Sequence, residues 1–229
     1  MARAVLFDLF GTLLAYDDIE AGTLKGWGAI HEALTSQGLD KPYEAFAHEW
    51  QAQFVKPLAP EEDCDESIFV GKLMRLQRSL GVAEDRRVAR AAAEACLAAW
   101  SDHIVLPEDA VPTLRALRGP HALALVTNFD HPAFVRTLLA RFALADWFDA
   151  IAISAELRID KPDPRIFGHV LSALGVTASE ALMVGDSVSA DIAGAEAAGC
   201  QAVLIDRLGW HPDYQGRRIA TLSELLALV

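Results

Sequence analysis

Four short segments of the chain carry polar side chains of the types that a phosphoryl-transfer reaction needs. They contain Asp8, Thr127-Asn128, Lys161, and Asp186 with Asp191 five residues later. Clustered carboxylates repel each other, and a hard cation with oxygen ligands, such as Mg²⁺, relieves that repulsion. The cation can also neutralise a phosphate, while lysine and hydroxyl groups hold its remaining oxygens and one carboxylate attacks as a nucleophile. We therefore predict a phosphoryl-transfer site that uses Mg²⁺.

The elements that must position these residues are predicted by short apolar runs bounded by turn residues. Such runs are typical of buried parallel strands, and they occupy residues 4–9, 121–127, 149–154, 181–185 and 201–205. Segments with helical spacing lie between the later runs, at 108–117, 132–141, 164–174 and 188–198, the last followed by Gly199 at a C-cap position. This alternation predicts an α/β fold, a Rossmann-like parallel sheet whose strand ends bring the polar residues to one edge.

One long interval interrupts the alternation. After the first strand no strand-like run occurs until residue 121, and the interval is rich in Ala, Leu, Glu, Arg and Trp. Its spacing predicts helices at 19–37, 43–54, 66–80 and 84–100. We therefore predict two domains, a Rossmann-like core of residues 1–14 and 105–229 and an all-helical insertion of residues 15–104.

Composition excludes several classes of partner. The 229 residues include 20 Lys and Arg against 32 Asp and Glu, a formal charge of −12, which argues against nucleic acid or an anionic membrane as the main partner. The longest stretch without a charged residue, 166–179, is too short to cross a bilayer. Cys64, Cys96 and Cys200 have no metal-ligand spacing, and Asp8 interrupts the apolar start of the chain. We predict buried thiols and a cytoplasmic location.

The four segments, in their order, resemble the motifs of the haloacid dehalogenase-like hydrolase superfamily. The first is Phe7-Asp8-Leu9-Phe10-Gly11-Thr12-Leu13, and the second is Val126-Thr127-Asn128. The third begins at Lys161-Pro162-Asp163-Pro164, and the fourth runs from Val184-Gly185-Asp186-Ser187 to Asp191. The helical insertion resembles the cap of the family's helical-cap phosphatases, which closes over the site and shapes substrate choice.

The resemblance implies a role for each matched residue. Asp8 is expected to be the nucleophile that becomes an aspartyl-phosphate, with Thr127 and Lys161 as the other catalytic residues. The expected ligands of Mg²⁺ are Asp8, the Phe10 backbone carbonyl, Asp186 and Asp191. The expected phosphate-binding residues are Gly11, Thr127, Asn128 through its backbone, and Lys161. The implied partner is a small phosphorylated metabolite.

Phe10 departs from the family pattern. Family phosphatases usually carry a second aspartate two residues after the nucleophile, which protonates the leaving oxygen and then activates water. Phenylalanine transfers no proton, and general acid–base help is worth about 10²–10⁴ in rate. We therefore expect weak turnover of alkyl phosphates and better turnover of substrates whose leaving group needs no proton. Asp17, Asp18 and His131 are the alternative acids that the sequence offers.

Phe10 also leaves two other functions open. Dehalogenases of the superfamily carry an aromatic residue at this position and attack carbon. They resemble one another in features that this chain lacks: no arginine occurs between Arg3 and Arg75, Phe167 replaces a tyrosine, and Gly185-Asp186 replaces a Ser-Asn pair. The third possibility is a relative that binds a phosphoryl group without turning it over.

Overall fold

The computed structural model describes residues 2–59, 62 and 66–229, and the chain forms two compact units. One unit combines the chain up to Ala15 with Val105–Val229. We call this unit the core. The other unit is Tyr16–Ile104, which we call the insertion.

The core is built on a six-stranded parallel sheet with the order β5-β4-β1-β6-β7-β8. The strands of the chain are β1 (Ala4–Phe7), β2 (Ala15–Tyr16), β3 (Ile104–Val105), β4 (Ala122–Thr127), β5 (Ala150–Ile153), β6 (Ala181–Gly185), β7 (Gln201–Ile205) and β8 (Arg218–Ile219). The chain moves from β1 outward to β5 on one side and then returns to the other side of β1 as β6. Ligand sites in open α/β sheets lie where the strand order reverses in this way.

Nine α-helices accompany these strands in the described residues. They are α1 (Ile19–Ser36), α2 (Tyr43–Phe54), α3 (Ile68–Leu80), α4 (Arg86–Ser101), α5 (Ala110–Leu117), α6 (Pro132–Arg141), α7 (Ser154–Leu157), α8 (Pro164–Leu174) and α9 (Ala193–Ala197). A π-helical turn, Val188–Ile192, leads directly into α9. The first four helices belong to the insertion and the others to the core.

The apolar runs form strands because both faces of the sheet are covered. All four residues of β1 are fully buried, as are the central residues of β4 and β6. On one face, Ile166, Phe167 and Val170 of α8 pack in a cluster with Val126 and Met183. A sheet covered on both faces gives continuous apolar runs without alternation, as the sequence shows.

Helix boundaries in the insertion are fixed by their caps. The side chains of Asp18, Ser67 and Asp85 accept hydrogen bonds from backbone amides in the first turns of α1, α3 and α4. Such caps satisfy amide groups that lack a partner within the helix. α3 ends at Gly81, whose φ of 74° is in the left-handed region that favours glycine.

The predicted α/β fold class is confirmed, and several predicted boundaries match the structure. The strands at 181–185 and 201–205 and the helices α2, α6 and α8 have the predicted limits. β1 ends at Phe7 rather than residue 9, because the Leu9 carbonyl accepts from the amides of Leu13 and Leu14 and thereby closes a turn. The prediction that no strand lies between residues 9 and 121 is wrong, since β2 and β3 pair there. Strands of two residues are too short for periodicity to detect.

Two predictions from composition concern the apolar parts of the chain. Cys96 and Cys200 are buried free thiols, and Cys64 lies outside the described residues. Across the part of the chain that the structure describes, every helix is too short or too polar to traverse a bilayer.

Candidate active site

The candidate site lies in the core, where three neighbouring strands end. Asp8 directly follows β1, Thr127 is the last residue of β4, and Asp186 directly follows β6. β1 lies between the other two strands in the sheet, so their carboxyl ends share one edge. Asp191 joins them from the π-helical turn, and ligand oxygens of Asp8, Asp186 and Asp191 all lie within 4.8 Å of one another.

Lys161 is the cation at the centre of this group. Its Nζ donates to Asp8 Oδ1 at 2.6 Å, to Asp191 Oδ1 at 2.6 Å and to the Val126 carbonyl at 2.8 Å. An ammonium has three N–H donors, so all three are used. Lys161 therefore orients Asp8 and offsets negative charge, and it can bind a phosphate directly only by giving up one of these bonds.

The loop that carries Lys161 is held at both ends. On one side the Asn128 side chain receives a bond from the Lys161 amide at 2.8 Å and donates to the Lys161 carbonyl at 2.9 Å. On the other side Asp163 caps α8 by accepting from the Arg165 amide, and Pro164 occupies the first turn. The Asn128 side chain thus positions the lysine, a role that the sequence prediction, which assigned only the Asn128 backbone to phosphate, did not include.

Two glycines make room for the carboxylates. A Cβ on Gly11 would lie 2.1 Å from Asp186 Oδ2, and a Cβ on Gly185 would lie 2.2 Å from Asp191 Cγ. Gly11 also has a φ of +80°, which disfavours any other residue. Its amide donates to the Leu14 carbonyl at 2.7 Å and so closes the loop after β1, and the predicted binding of phosphate by Gly11 stays a prediction.

Asp191 is fixed by the turn that contains it. The Ser187 amide donates to Asp191 Oδ2 at 2.9 Å, while the Ser187 hydroxyl caps the turn by accepting from the Ala190 amide. The second carboxylate oxygen, Oδ1, contacts Lys161. Both oxygens of Asp191 are therefore occupied by protein donors, and the carboxylate is buried with 1% of its surface exposed.

The surroundings raise the pKa values of two of these carboxylates, Asp8 and Asp186. The pKa of Asp8 is raised to about 7, mainly by burial; Lys161 opposes the rise, and Asp191 and Asp186 contribute to it. Burial, together with Asp191, raises the pKa of Asp186 to about 6. The pKa of Lys161 is also raised, because the attraction of Asp8 and Asp191 outweighs its burial. One lysine thus offsets the charge of this carboxylate cluster only in part.

The Thr127 hydroxyl has no hydrogen-bond partner among the described residues, although it is fully buried. A buried polar group without a partner is uncommon and calls for an explanation. Thr127 ends the strand beside Asp8, so a ligand held at this edge could accept its hydrogen bond. The Thr12 hydroxyl, in the loop after β1, is also buried and has no hydrogen-bond partner among the described residues.

Phe10 belongs to an aromatic group rather than to the polar site. Its ring stacks on that of Phe129, with centroids 4.9 Å apart and an interplanar angle of 29°. Each of the alternative acids makes a contact of its own. Asp17 pairs with His103 at 2.9 Å, Asp18 caps α1, and His131 Nδ1 accepts from the Phe134 amide at 3.2 Å.

Several residues of the site were not identified from the sequence. They are the Val126 carbonyl and the Ser187 amide, which bind Lys161 and Asp191, and Gly185. His211, which lies close enough to Asp186 to oppose the rise in its pKa, was also missed. The flanking motif residues could have indicated Gly185 and Ser187, whereas no sequence pattern identifies a single carbonyl or a distant histidine.

Comparison with known proteins identifies similar sequences along most of the chain. A family model described as haloacid dehalogenase-like hydrolase matches residues 2–199. N-acylneuraminate-9-phosphatase of Rattus norvegicus is 31% identical over 218 residues, which cover 92% of this chain and 85% of the relative.

Two solved structures are similar throughout. The 2-haloacid dehalogenase from Pseudomonas syringae pv. Tomato DC3000 has a TM-score of 0.77 and 26% identity, and the match covers 100% of this chain and 98% of the other. A phosphatase from Thermococcus onnurineus has a TM-score of 0.72 and 28% identity, with 99% and 97% covered. The similar structures thus include a carbon hydrolase as well as a phosphatase.

Replacement of the central cation tests the electrostatic description of this site. Lys161→Met leaves two buried carboxylates without their ion-pair partner, and we expect a loss of about 3–5 kcal/mol in the free energy of unfolding at pH 8. The loss should be smaller at pH 5. Carboxylates whose folded-state pKa is raised stabilise the protein below their unfolded pKa of about 4, and that stability disappears as the pH rises through the folded pKa. Urea unfolding at both pH values measures the difference.

The matched control is Lys41→Met, which removes an exposed lysine side chain. It should change the free energy of unfolding little at either pH. An equal loss for Lys161→Met at pH 5 and pH 8 would contradict the description, because it would mean that packing rather than charge accounts for the effect.

Proposed function

The chain belongs to the haloacid dehalogenase-like hydrolase family, and we propose that it is a magnesium-dependent phosphatase of small phosphorylated molecules, with Asp8 as the nucleophile. The observation that carries this proposal is the cluster of Asp8, Asp186 and Asp191 around one lysine at the sheet edge. The net charge of this cluster is negative, yet a phosphatase site must accept an anionic substrate. The relative from Rattus norvegicus is a phosphatase by name, which agrees with this proposal.

The residues present fit a bound Mg²⁺. Their oxygen ligands are of the type that this ion prefers, and they lie within 4.8 Å of one another. The pKa values of Asp8 and Asp186 are raised by burial first and then by the neighbouring carboxylates, against the opposing effect of Lys161. Asp8, Asp186 and the Phe10 carbonyl would hold the ion, with Asp191 in support. When bound, Mg²⁺ would neutralise the repulsion between these carboxylates and a phosphate.

Side chains of the core would carry out the remaining steps of the reaction. Lys161 holds Asp8 Oδ1, which leaves Oδ2 of the same carboxylate to attack phosphorus. The Thr127 hydroxyl donates to a phosphoryl oxygen and so gains the partner that it otherwise lacks. Attack forms a phosphorylated Asp8 and releases the leaving group, and water then hydrolyses the acyl-phosphate to regenerate the carboxylate.

The identity of residue 10 restricts which substrates react well. An alkoxide is a poor leaving group unless an acid protonates it, and a phenylalanine side chain has no proton to give. Phenolates, carboxylates and phosphate itself leave as stable anions. We therefore infer that the preferred substrates are esters or anhydrides of phosphate with such leaving groups.

We further infer that residues 15–104 act as the cap of this enzyme. The insertion follows the loop of Asp8 directly in the chain and contains four helices in its described residues. In this reading, side chains of the insertion select the substrate and exclude water from the reaction.

A second candidate function is hydrolysis at carbon. It is favoured by the aromatic residue at position 10 and by the similarity to the dehalogenase structure. The carboxylate of Asp186 argues against hydrolysis at carbon. Attack on carbon needs no cation, and without a cation Asp186 would only repel the other carboxylates. Halide release from a 2-haloacid without added metal would identify this function.

The proposed metal site can be tested by the effect of Mg²⁺ on the Tm. We expect Mg²⁺ to raise the Tm of the intact protein, since a ligand that binds only the folded state stabilises it. The rise should be larger at pH 8 than at pH 5, because protons on Asp8 (pKa about 7) and Asp186 (pKa about 6) compete with the ion at the lower pH. Asp186→Asn should reduce the rise. A Tm that is the same in Mg²⁺ and in EDTA at pH 8 would argue against a magnesium site.

Removal of the nucleophile tests the reaction itself. We expect Asp8→Asn to reduce hydrolysis of 4-nitrophenyl phosphate in Mg²⁺ to the level of a reaction without enzyme, because an amide cannot form the acyl-phosphate. The control is Asp146→Asn, which changes an exposed carboxylate in the turn before β5 and should keep the wild-type rate. Binding of phosphate without turnover by the wild-type protein would instead support a non-catalytic relative.

The effect of Phe10 on the leaving group can be tested by restoring an acid. The wild-type protein should hydrolyse 4-nitrophenyl phosphate at least about 10²-fold faster than an alkyl phosphate. Phe10→Asp should reduce the difference between the two hydrolysis rates. Phe10→Asn should not, because asparagine is nearly the same size as aspartate but has no carboxyl proton to transfer. Equal and fast wild-type rates for the two substrates would show that another residue supplies the proton.

A further inference from the structure

Arg207 links the loop after β1 to a distant part of the core. It follows β7, and its guanidinium contacts both oxygens of Asp109, with Nη1 at 3.1 Å from Oδ2 and Nη2 at 3.0 Å from Oδ1. Nη2 also donates to the Thr12 carbonyl at 3.2 Å. One planar fork therefore binds a carboxylate and, at the same time, a backbone oxygen of the loop that follows the nucleophile.

The arginine is held firmly enough to support that loop. Asp109 lies directly before α5, and its carboxylate also accepts from the Leu222 amide at 2.7 Å. Asp206, the residue before Arg207, accepts from the Trp210 amide at 2.7 Å, which fixes the backbone from which the arginine extends. The side chains of Arg207 and Asp109 are only 19% and 16% exposed. This ion pair is therefore largely shielded from water and joins three segments of the core.

The loop that receives the bond from Arg207 forms one wall of the acidic cluster. It is tightly closed, because the Leu9 carbonyl accepts from the amides of Leu13 and Leu14 at 3.0 and 2.8 Å. Gly11 within it lies against Asp186, since a Cβ on this glycine would be 2.1 Å from Asp186 Oδ2. A tight loop moves as a unit, so a shift at its Thr12 carbonyl also changes the space beside Asp186.

From these contacts we propose that Arg207 is a positioning residue of the magnesium site. Its guanidinium holds the loop after β1 so that the Phe10 carbonyl and the carboxylates of Asp8 and Asp186 fit one ion. This inference rests on the proposed phosphatase function and adds to it a residue outside the four sequence motifs. Arg207 acts through Thr12 rather than on the substrate. Groups that orient metal ligands from outside change metal affinity by about 10- to 100-fold when they are replaced.

The charge of Arg207 gives the test a clear sign. A cation in the same unit as the metal site repels Mg²⁺, so its removal should strengthen binding if charge alone mattered. Loss of the support for the loop should weaken binding. A lysine would keep the charge but not the planar fork that reaches two acceptors at once. The positioning role and a purely electrostatic role therefore predict opposite changes.

The experiment measures the affinity for Mg²⁺ by calorimetry at pH 8, under conditions in which urea unfolding shows each protein to be folded. We expect Arg207→Gln to bind Mg²⁺ about tenfold more weakly than the wild-type protein. Arg207→Lys should lie between the two. The control is Arg136→Gln, since Arg136 also pairs with a carboxylate of the core, that of Glu156 at 2.7 Å, and its loss changes the net charge equally. It should bind Mg²⁺ as the wild-type protein does.

The outcomes separate this inference from the proposed function. Unchanged or tighter binding of Mg²⁺ by folded Arg207→Gln overturns the positioning role and leaves the magnesium-dependent phosphatase standing. If Arg207→Gln does not fold, Arg207→Lys decides: weaker binding than that of the wild-type protein supports the role, and wild-type affinity overturns it. Absence of Mg²⁺ binding by the wild-type protein overturns the proposed function, and this inference with it.

Discussion

The ammonium of Lys161 connects three separate parts of the core. It contacts the residue after β1, the π-helical turn before α9 and a carbonyl of β4, all from a loop that precedes α8. Two of these contacts are ion pairs in which the lysine side chain is 2% exposed. Removing one partner of a buried pair leaves a charge that water cannot reach. The position of Asp8, and hence any reaction at it, depends on this one cation.

The sheet topology explains why so few residues are needed to build the site. Because β1 lies between β4 and β6, the residues that end these strands are neighbours without any long loop to bring them together. The loops after the strands are then fixed by local bonds, such as those of Asn128 to the lysine loop and of Ser187 to Asp191. Asp8 and Asp191, which repel each other, are held at short range by the Lys161 ammonium, and the Ser187 amide also holds Asp191.

The parts of this arrangement that the sequence could predict are those with a local pattern. Buried strands give uninterrupted apolar runs, helix caps use a small set of residues, and the polar ends of the strands were recognisable as a group. The use of individual hydrogen bonds could not be predicted. That the Gly11 amide closes a loop, or that Lys161 has no donor left for a phosphate, depends on three-dimensional positions that residue types do not specify. The two-residue strands were missed because no period exists within two residues.

Gly11 and Gly185 set a limit on how this protein can diversify. Any side chain at either position would overlap the carboxylate of Asp186 or Asp191, so mutation at these positions disrupts the acidic cluster. Position 10 is different, because its side chain is not one of these carboxylates and stacks on the ring of Phe129. Under the proposed function, evolution can exchange the residue at position 10, and with it the departing group that is tolerated, while the acidic cluster stays intact. A change of substrate in such a lineage would then leave the three carboxylates and Lys161 in place.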